Sequence, residues 1–351
     1  MNAQIIKIGN YELGEVRPVF IIAEAGVNHN GNIKLAKELI RKAKQCGANC
    51  IKFQTFKAEQ VASAKAPKAA YQLKTTDPGE LQIDMLRALE LKEKDYPKLL
   101  GICEEEEIQF LSTPYSFEDV DFLDELGVPA FKIASGQLIE HPFLDYVARK
   151  GKSVVLSTGM GSLREVEEAI NIIHNAGNDK IIVLQCTTNY PSLIEETNLR
   201  AMATMGDKCR VLTGYSDHTC GNTAAIAAVS LGACLIEKHF TLDKGLAGPD
   251  QASSADPGEF SELVRLIRET EKCLGTAVKK PTPCEIKNIQ GMRRSLVTSQ
   301  DITAGTLINW GNVTFKRPAT GILGNQSHIA LGGKAKRDIS ADTLITLDMI
   351  E

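Results

Sequence analysis

Eight short apolar runs, separated by amphipathic helical stretches, constrain this chain more than any other feature. They cover residues 19–24, 50–54, 108–112, 130–133, 153–157, 181–185, 210–215 and 234–238. Each is rich in Ile, Val or Phe, as parallel strands buried on both faces require. Between them, 32–46 carries Ile33, Ala36, Leu39, Ile40 and Ala43 on one helical face, and Gly47 is a natural stop. Ser162-Leu163-Arg164-Glu165 reads as a capping box with Val166, Ala169, Ile170 and Ile173 turned inward. Ser116 with Asp119 opens another helix, and 256–274 reads as the last. Eight strands alternating with helices predict an α/β chain built as a (β/α)8 TIM barrel. An open doubly wound sheet is the alternative, but no G-x-G-x-x-G turn follows the first strand.

The pattern changes near residue 275. Lys279, Lys280, Pro281 and Pro283 mark 276–290 as a linker between a barrel domain (1–275) and a small β-rich domain (291–351). The tail holds a weak repeat, Asp301-Ile302-Thr303-Ala304-Gly305-Thr306-Leu307-Ile308 and Asp338-Ile339-Ser340-Ala341-Asp342-Thr343-Leu344-Ile345. About sixty residues bury little surface alone, so this domain is expected to dock on something.

Composition removes several classes of function. The net charge of -4 and the lack of a long basic run argue against nucleic-acid or membrane-surface binding. The first fifteen residues mix polar and apolar types, unlike a signal peptide, and 19–23 is too short to span a bilayer. Nine cysteines with no C-x-x-C pair read as reduced thiols of a cytoplasmic protein, Cys186 among them.

Polar residues at the carboxyl ends of barrel strands build active sites. Those positions hold Glu24, Lys52, Gln54, Thr113, Lys132, Ser135, Ser157, Thr158, Thr187, Thr188, Ser216, His218, Lys238 and His239. His218 and His239 follow neighbouring strands, so both imidazoles reach one rim. There they can hold a divalent metal and leave positions open for substrate and water. Lys52, Lys132 and Lys238 with Ser135, Ser157, Thr187 and Ser216 suit a phosphate. Glu24 can ligate the metal or move a proton. Asp250, after the eighth strand, can receive a sugar hydroxyl. The set points to a phosphorylated small substrate, a polarised carbonyl and C–C bond chemistry. Lys132 as a Schiff-base nucleophile is the rival reading, and it leaves the two histidines unexplained.

The segments Phe20-Ile21-Ile22-Ala23-Glu24-Ala25-Gly26-Val27-Asn28-His29-Asn30-Gly31, Ile51-Lys52-Phe53-Gln54-Thr55-Phe56, Phe110-Leu111-Ser112-Thr113-Pro114, Phe131-Lys132-Ile133, Leu156-Ser157-Thr158-Gly159-Met160, Gly214-Tyr215-Ser216-Asp217-His218-Thr219 and Ile236-Glu237-Lys238-His239-Phe240-Thr241 resemble the sialic acid synthases. The resemblance runs over essentially the whole chain, and the tail resembles their antifreeze-like (SAF) domain. It implies condensation of phosphoenolpyruvate with an open-chain N-acylated hexosamine, giving a nine-carbon 2-keto acid and phosphate. A divalent metal, Mn2+ or Mg2+, is implied at His218 and His239. Lys52, Lys132, Ser135, Ser157 and Ser216 would hold phosphoenolpyruvate, with Thr113 among the substrate contacts, and Glu24 would sit by the reacting carbons. Gln54, Tyr190 and Asp250 would face the sugar. Arg317 would come from the tail of a partner protomer in a domain-swapped homodimer and grip the N-acyl carbonyl. Thr188 stands where some relatives carry an amide, so it or Asn189 would complete the phosphate contacts. The sugar implied is N-acetylmannosamine, with 2,4-diacetamido-2,4,6-trideoxymannose and a legionaminate product as the alternative. A non-catalytic sugar-binding or ice-binding-like protein is the reading from another class, and the intact strand-end set opposes it.

Overall fold

The structure is a computed structural model that describes residues 4–69, 72–77 and 79–351. It contains two compact units, Met1–Gly275 and Thr276–Glu351. The first holds an eight-stranded parallel sheet. Its strands are β1 (Phe20–Gly26), β2 (Cys50–Thr55), β3 (Gln109–Pro114), β4 (Ala130–Ile133), β5 (Ser153–Ser157), β6 (Ile181–Cys186), β7 (Leu212–Asp217) and β8 (Leu235–His239). Ladders run in the order β3-β2-β1-β8-β7-β6-β5-β4, and β3 lies beside β4, which closes the barrel. The eight predicted runs therefore coincide with the eight strands to within a residue or two at most ends.

Alternation along each strand sorts its side chains. Ile21, Ile51, Phe110, Phe131, Val154, Val183, Tyr215 and Ile236 face the helices and join the large outer core. Phe20, Ile22, Cys50, Leu111, Ala130, Val155, Leu184 and Leu235 fill the barrel interior. A hairpin that the sequence pattern did not signal, Ile6–Ile8 with Tyr11–Leu13, adds Ile6, Ile8 and Leu13 to that interior cluster. The lower barrel is thus a largely apolar plug, with Ser153 donating to the Lys7 carbonyl at its base (2.7 Å), and the charged groups of the cavity lie above it. Gly214 belongs to this inner layer. A Cβ there would lie 2.5 Å from the Leu235 carbonyl oxygen and 2.8 Å from Leu184 Cδ2, so only glycine fits.

Two predicted helices form as expected, Ile33–Gln45 and Leu163–Asn175. Ser162 caps the second by a reciprocal box with Glu165. The connection after β2 contains a helix not foreseen, Gln82–Leu89. The segment taken as a linker is also partly helical, at Pro283–Met292. Its prolines mark a helix start: Thr282 and Glu285 form a capping box, and Pro283 takes the first helical position. The helix Pro257–Leu274 is therefore not the last one.

The second unit pairs Ser295–Thr298 with Val313–Lys316 over a core of Leu296, Ile302, Ile308, Val313, Ile322, Ile339 and Ile345. The internal repeat has a structural meaning here. Ile302 and Ile339 form an antiparallel bridge. Ala304 N–H donates to Asp338 (2.7 Å), and Ala341 N–H donates to Asp301 (2.8 Å). Each copy's aspartate closes the turn of the other.

Candidate active site

Above the apolar plug, the inward positions turn polar. Register sets Glu24 beside Lys52 on one side and His239 on the other, and Glu237 beside Ser216. These side chains line a cavity of about 450 Å³ with Thr113, Lys132, Ser135, Ser157, Cys186, Thr188, Tyr190 and His218.

Its floor is a charge network. Lys52 Nζ lies 2.8 Å from Glu24 Oε2 and 3.7 Å from Glu237 Oε2, and it donates to Thr113 Oγ1 at 3.1 Å. Lys132 Nζ lies 3.3 Å from Glu237 Oε1, which also accepts from Ser216 Oγ at 3.1 Å. Glu237 is the important residue that strand-end reasoning passed over. Its signal was available: in β8 the inward set is Leu235, Glu237, His239. The same alternation corrects the expectation for Lys238. It points to the outer side, pairs with Asp217 at 2.7 Å and donates to the Thr219 carbonyl at 2.9 Å. Thr158 and Thr187 likewise donate to backbone carbonyls, of Leu184 and Glu196.

The two carboxylates differ. Burial pushes Glu24 up to about 7, with Glu237 adding to the rise and Lys52 opposing it. Burial would raise Glu237 too, but Lys132 and Lys52 outweigh it and hold it down to about 2. One group is thus poised to trade a proton near neutrality, while the other stays ionised as a counter-charge. Burial lowers Lys132, partly offset by Glu237.

Beside the lysines sit hydroxyls prepared for an anion. Ser157 Oγ is buried without a hydrogen-bond partner. Ser135 Oγ accepts from Gly159 N–H at 2.9 Å, and its hydroxyl bonds toward the Cys186 sulfur, which fixes it at the cavity wall. A Cβ on Gly159 would lie 2.1 Å from Thr188 Oγ1 and 2.8 Å from Ser135 Oγ, which is why the hydroxyls can crowd that turn. Thr188, not Asn189, lines the cavity.

The rim carries the imidazoles, with ring centroids 5.4 Å apart. Tyr190 packs against both, at 4.1 Å from His218 and 5.3 Å from His239. His218 Nδ1 lies 2.7 Å from the Thr187 carbonyl, so it donates there, and Nε2 faces the cavity 3.5 Å from Ser216 Oγ. His239 Nδ1 is buried without a hydrogen bond, 3.9 Å from Asp250. Burial, then His218 and Lys52, hold His239 well below its ordinary range. Burial would lower His218 as well, but Cys186, whose Sγ is 3.8 Å from Nδ1, and the Thr187 carbonyl raise it. A bound metal would displace that proton. Among the described residues, no group of three or more His, Cys, Asp or Glu forms a closed metal site. Two imidazole donors with open positions fit a divalent ion whose remaining ligands come from substrate and water.

Asp250, which burial raises to about 6, lines an adjoining cavity with Gln54, Tyr115, Tyr190 and His239. Arg317 is exposed in the second unit and donates to the Met292 carbonyl at 3.1 Å.

Residues 39–279 match the NeuB family, and 293–351 match the SAF domain. The chain belongs to the NeuB family. It is 46% identical over 332 residues to the N,N'-diacetyllegionaminic acid synthase of Campylobacter jejuni, covering 94% of this chain and 99% of that one. It is 41% identical over 342 residues to the enzyme of the same name from Legionella pneumophila, covering 96% of each. Among solved structures, it resembles the N-acetylneuraminic acid (sialic acid) synthetase from Leptospira borgpetersenii in complex with citrate. That likeness has a TM-score of 0.73 and 33% identity, and covers 82% of this chain and 95% of the other. The family membership and the barrel followed by a SAF domain agree with the sequence reading.

Proposed function

We propose that this chain condenses phosphoenolpyruvate with an open-chain N-acylated amino sugar, releasing inorganic phosphate and a nine-carbon 2-keto acid. One observation carries the reading: a cavity with two buried lysines and crowded hydroxyls at its floor and two imidazoles at its rim. Lys52, Lys132, Ser135, Ser157, Thr188 and Ser216 supply donors for phosphate and carboxylate. Bound at His218 and His239, a divalent ion such as Mn2+ or Mg2+ would supply Lewis-acid polarisation of the sugar aldehyde. C3 of phosphoenolpyruvate attacks the aldehyde carbon. Water adds to the cationic C2 and passes a proton to the Glu24 carboxylate, which titrates near neutrality. The C2 hydroxyl of the tetrahedral intermediate then gives up its proton as the C2–O bond to phosphate breaks, leaving the ketone and expelling phosphate beside the lysines, which stabilise the leaving charge. The two protons from water end on the former aldehyde oxygen and on phosphate.

The identities of 46% and 41% to legionaminic acid synthases favour 2,4-diacetamido-2,4,6-trideoxymannose as the sugar. N-acetylmannosamine, giving N-acetylneuraminate, is the second reading, supported by the Leptospira likeness. The expected result is phosphate release only when metal, phosphoenolpyruvate and sugar are all present, with loss on chelation. Metal-independent release would overturn the proposal. A comparison of kcat/KM on the two sugars decides between them.

Gln54, Tyr190 and Asp250 face the sugar in this reading. Arg317 contributes from a partner protomer's tail in a swapped homodimer. Arg317→Ala is then expected to raise KM for the sugar by roughly 10- to 100-fold, the worth of one charged hydrogen bond. An equal rise in KM for phosphoenolpyruvate would refute that role. Nine free cysteines accord with a reducing, cytoplasmic setting.

A further inference from the structure

The Gln82–Leu89 helix places Gln82, Met85, Leu86 and Leu89 at positions i, i+3, i+4 and i+7, on one face. All four line the cavity of about 190 Å³ that adjoins the anion site. Asp84 and Arg87 lie on the opposite, exposed side, where Arg87 pairs with Glu59 and Asp84. The facing wall is apolar too: Val27 and Phe56 pack with Met85 and Leu89 in a separate small core. The same cavity ends in Gln54, Tyr190, His239 and Asp250, and all but Asp250 also line the larger one. A ligand held by the imidazole rim can therefore extend one end under this helix.

We propose that this pocket receives the uncharged, methyl-bearing C4–C6 end of the acceptor sugar, and so selects a deoxygenated, acylated sugar over one carrying a free hydroxymethyl or a phosphate. The inference rests on the reaction proposed above. Its physical basis is desolvation. A methyl group buried against Met85, Leu86, Leu89 and Phe56 gains apolar burial, whereas a hydroxyl turned against those four side chains loses its water with no polar group among them to replace it. A phosphate would also meet the carboxylate of Asp250. The polar members fit the same substrate: Gln54, Gln82 and Tyr115 can bond hydroxyl and acyl oxygens at the pocket's mouth. Burial pushes the Tyr115 phenol up to about 12, with Glu24 and Asp250 adding to the rise against Lys52, so it stays a donor at neutral pH.

The test uses the full chain and two sugars, 2,4-diacetamido-2,4,6-trideoxymannose and N-acetylmannosamine. Wild type is expected to prefer the first. Leu86→Asn puts a polar group on the wall at a half-buried position where the fold tolerates it. It should shrink the ratio of the two kcat/KM values about tenfold, the worth of one apolar group in such a pocket. The loss should sit in KM for the sugar and not in KM for phosphoenolpyruvate. Leu86→Met, which keeps the apolar wall, should preserve the ratio. A ratio unchanged by Leu86→Asn, or a wild-type preference for N-acetylmannosamine, overturns the proposal. If neither sugar releases phosphate, the reaction proposed above fails. The pocket is then judged by calorimetric titration with the same sugars: tighter binding of the deoxygenated one, lost in Leu86→Asn, upholds it, and equal binding refutes it.

Discussion

Replacing His218 with Ala is expected to lower kcat for phosphate release by about 10³-fold while the barrel stays folded, since polarisation of a carbonyl is worth several kcal/mol and each 1.36 kcal/mol is tenfold in rate. The ring is fixed for this role. Its Nδ1–H is committed to the Thr187 carbonyl at 2.7 Å, and Tyr190 packs on its face at 4.1 Å. Substitution removes one buried hydrogen bond and, in the proposed reading, one metal donor. The first loss costs about 1–3 kcal/mol, too little to unfold a domain of this size. Kinetics at saturating metal, thermal melting and calorimetric metal titration separate the two effects. Turnover within about tenfold of wild type would exclude His218 as a ligand. Weakened metal affinity with an unchanged fold is the expected pattern.

Glu237→Ala should have the largest effect on stability, about 3–5 kcal/mol, because it leaves Lys52 and Lys132 buried without their shared counter-charge. Denaturant titration at neutral pH measures this, and an unshifted midpoint would show that Glu24 alone balances both cations. Linkage gives the two acids opposite signs. Glu237 is depressed from 4.5 to about 2, so its contribution is present above pH 4.5 and lost as pH falls through 2. Glu24 is raised from 4.5 to about 7, so its contribution is present below 4.5 and lost as pH rises through 7. Glu24→Gln should therefore flatten the stability profile between those two values.

Much of this site was legible before any coordinates. Strand ends read in order named Glu24, Lys52, Gln54, Thr113, Lys132, Ser135, Ser157, Thr188, Ser216, His218 and His239, which line one cavity, and also Thr158, Thr187 and Lys238, which do not; Tyr190, which lines it too, came from the family resemblance. They were legible because a barrel forces every strand to end at the same face. Lys238 was read as facing the site and Glu237 was passed over, a slip of one residue. In a strand that slip exchanges cavity for outer layer. Tyr115 was also passed over, one residue beyond the end of β3. The Gln82–Leu89 helix gave no clear signal, because it spans only eight residues and its apolar face covers a cavity and a small satellite core instead of the main one.

Local pattern therefore determined the barrel, its boundary near Gly275 and which polar residues stand at its rim, because alternating burial and capping residues act over a few neighbours. Tertiary structure alone decided the rest. Whether Lys238 or Glu237 meets the lysines, which acid is ionised, and what wall closes over the adjoining cavity depend on side chains that are distant in sequence. Charge balance and burial act through space, and only the closed barrel fixes those distances.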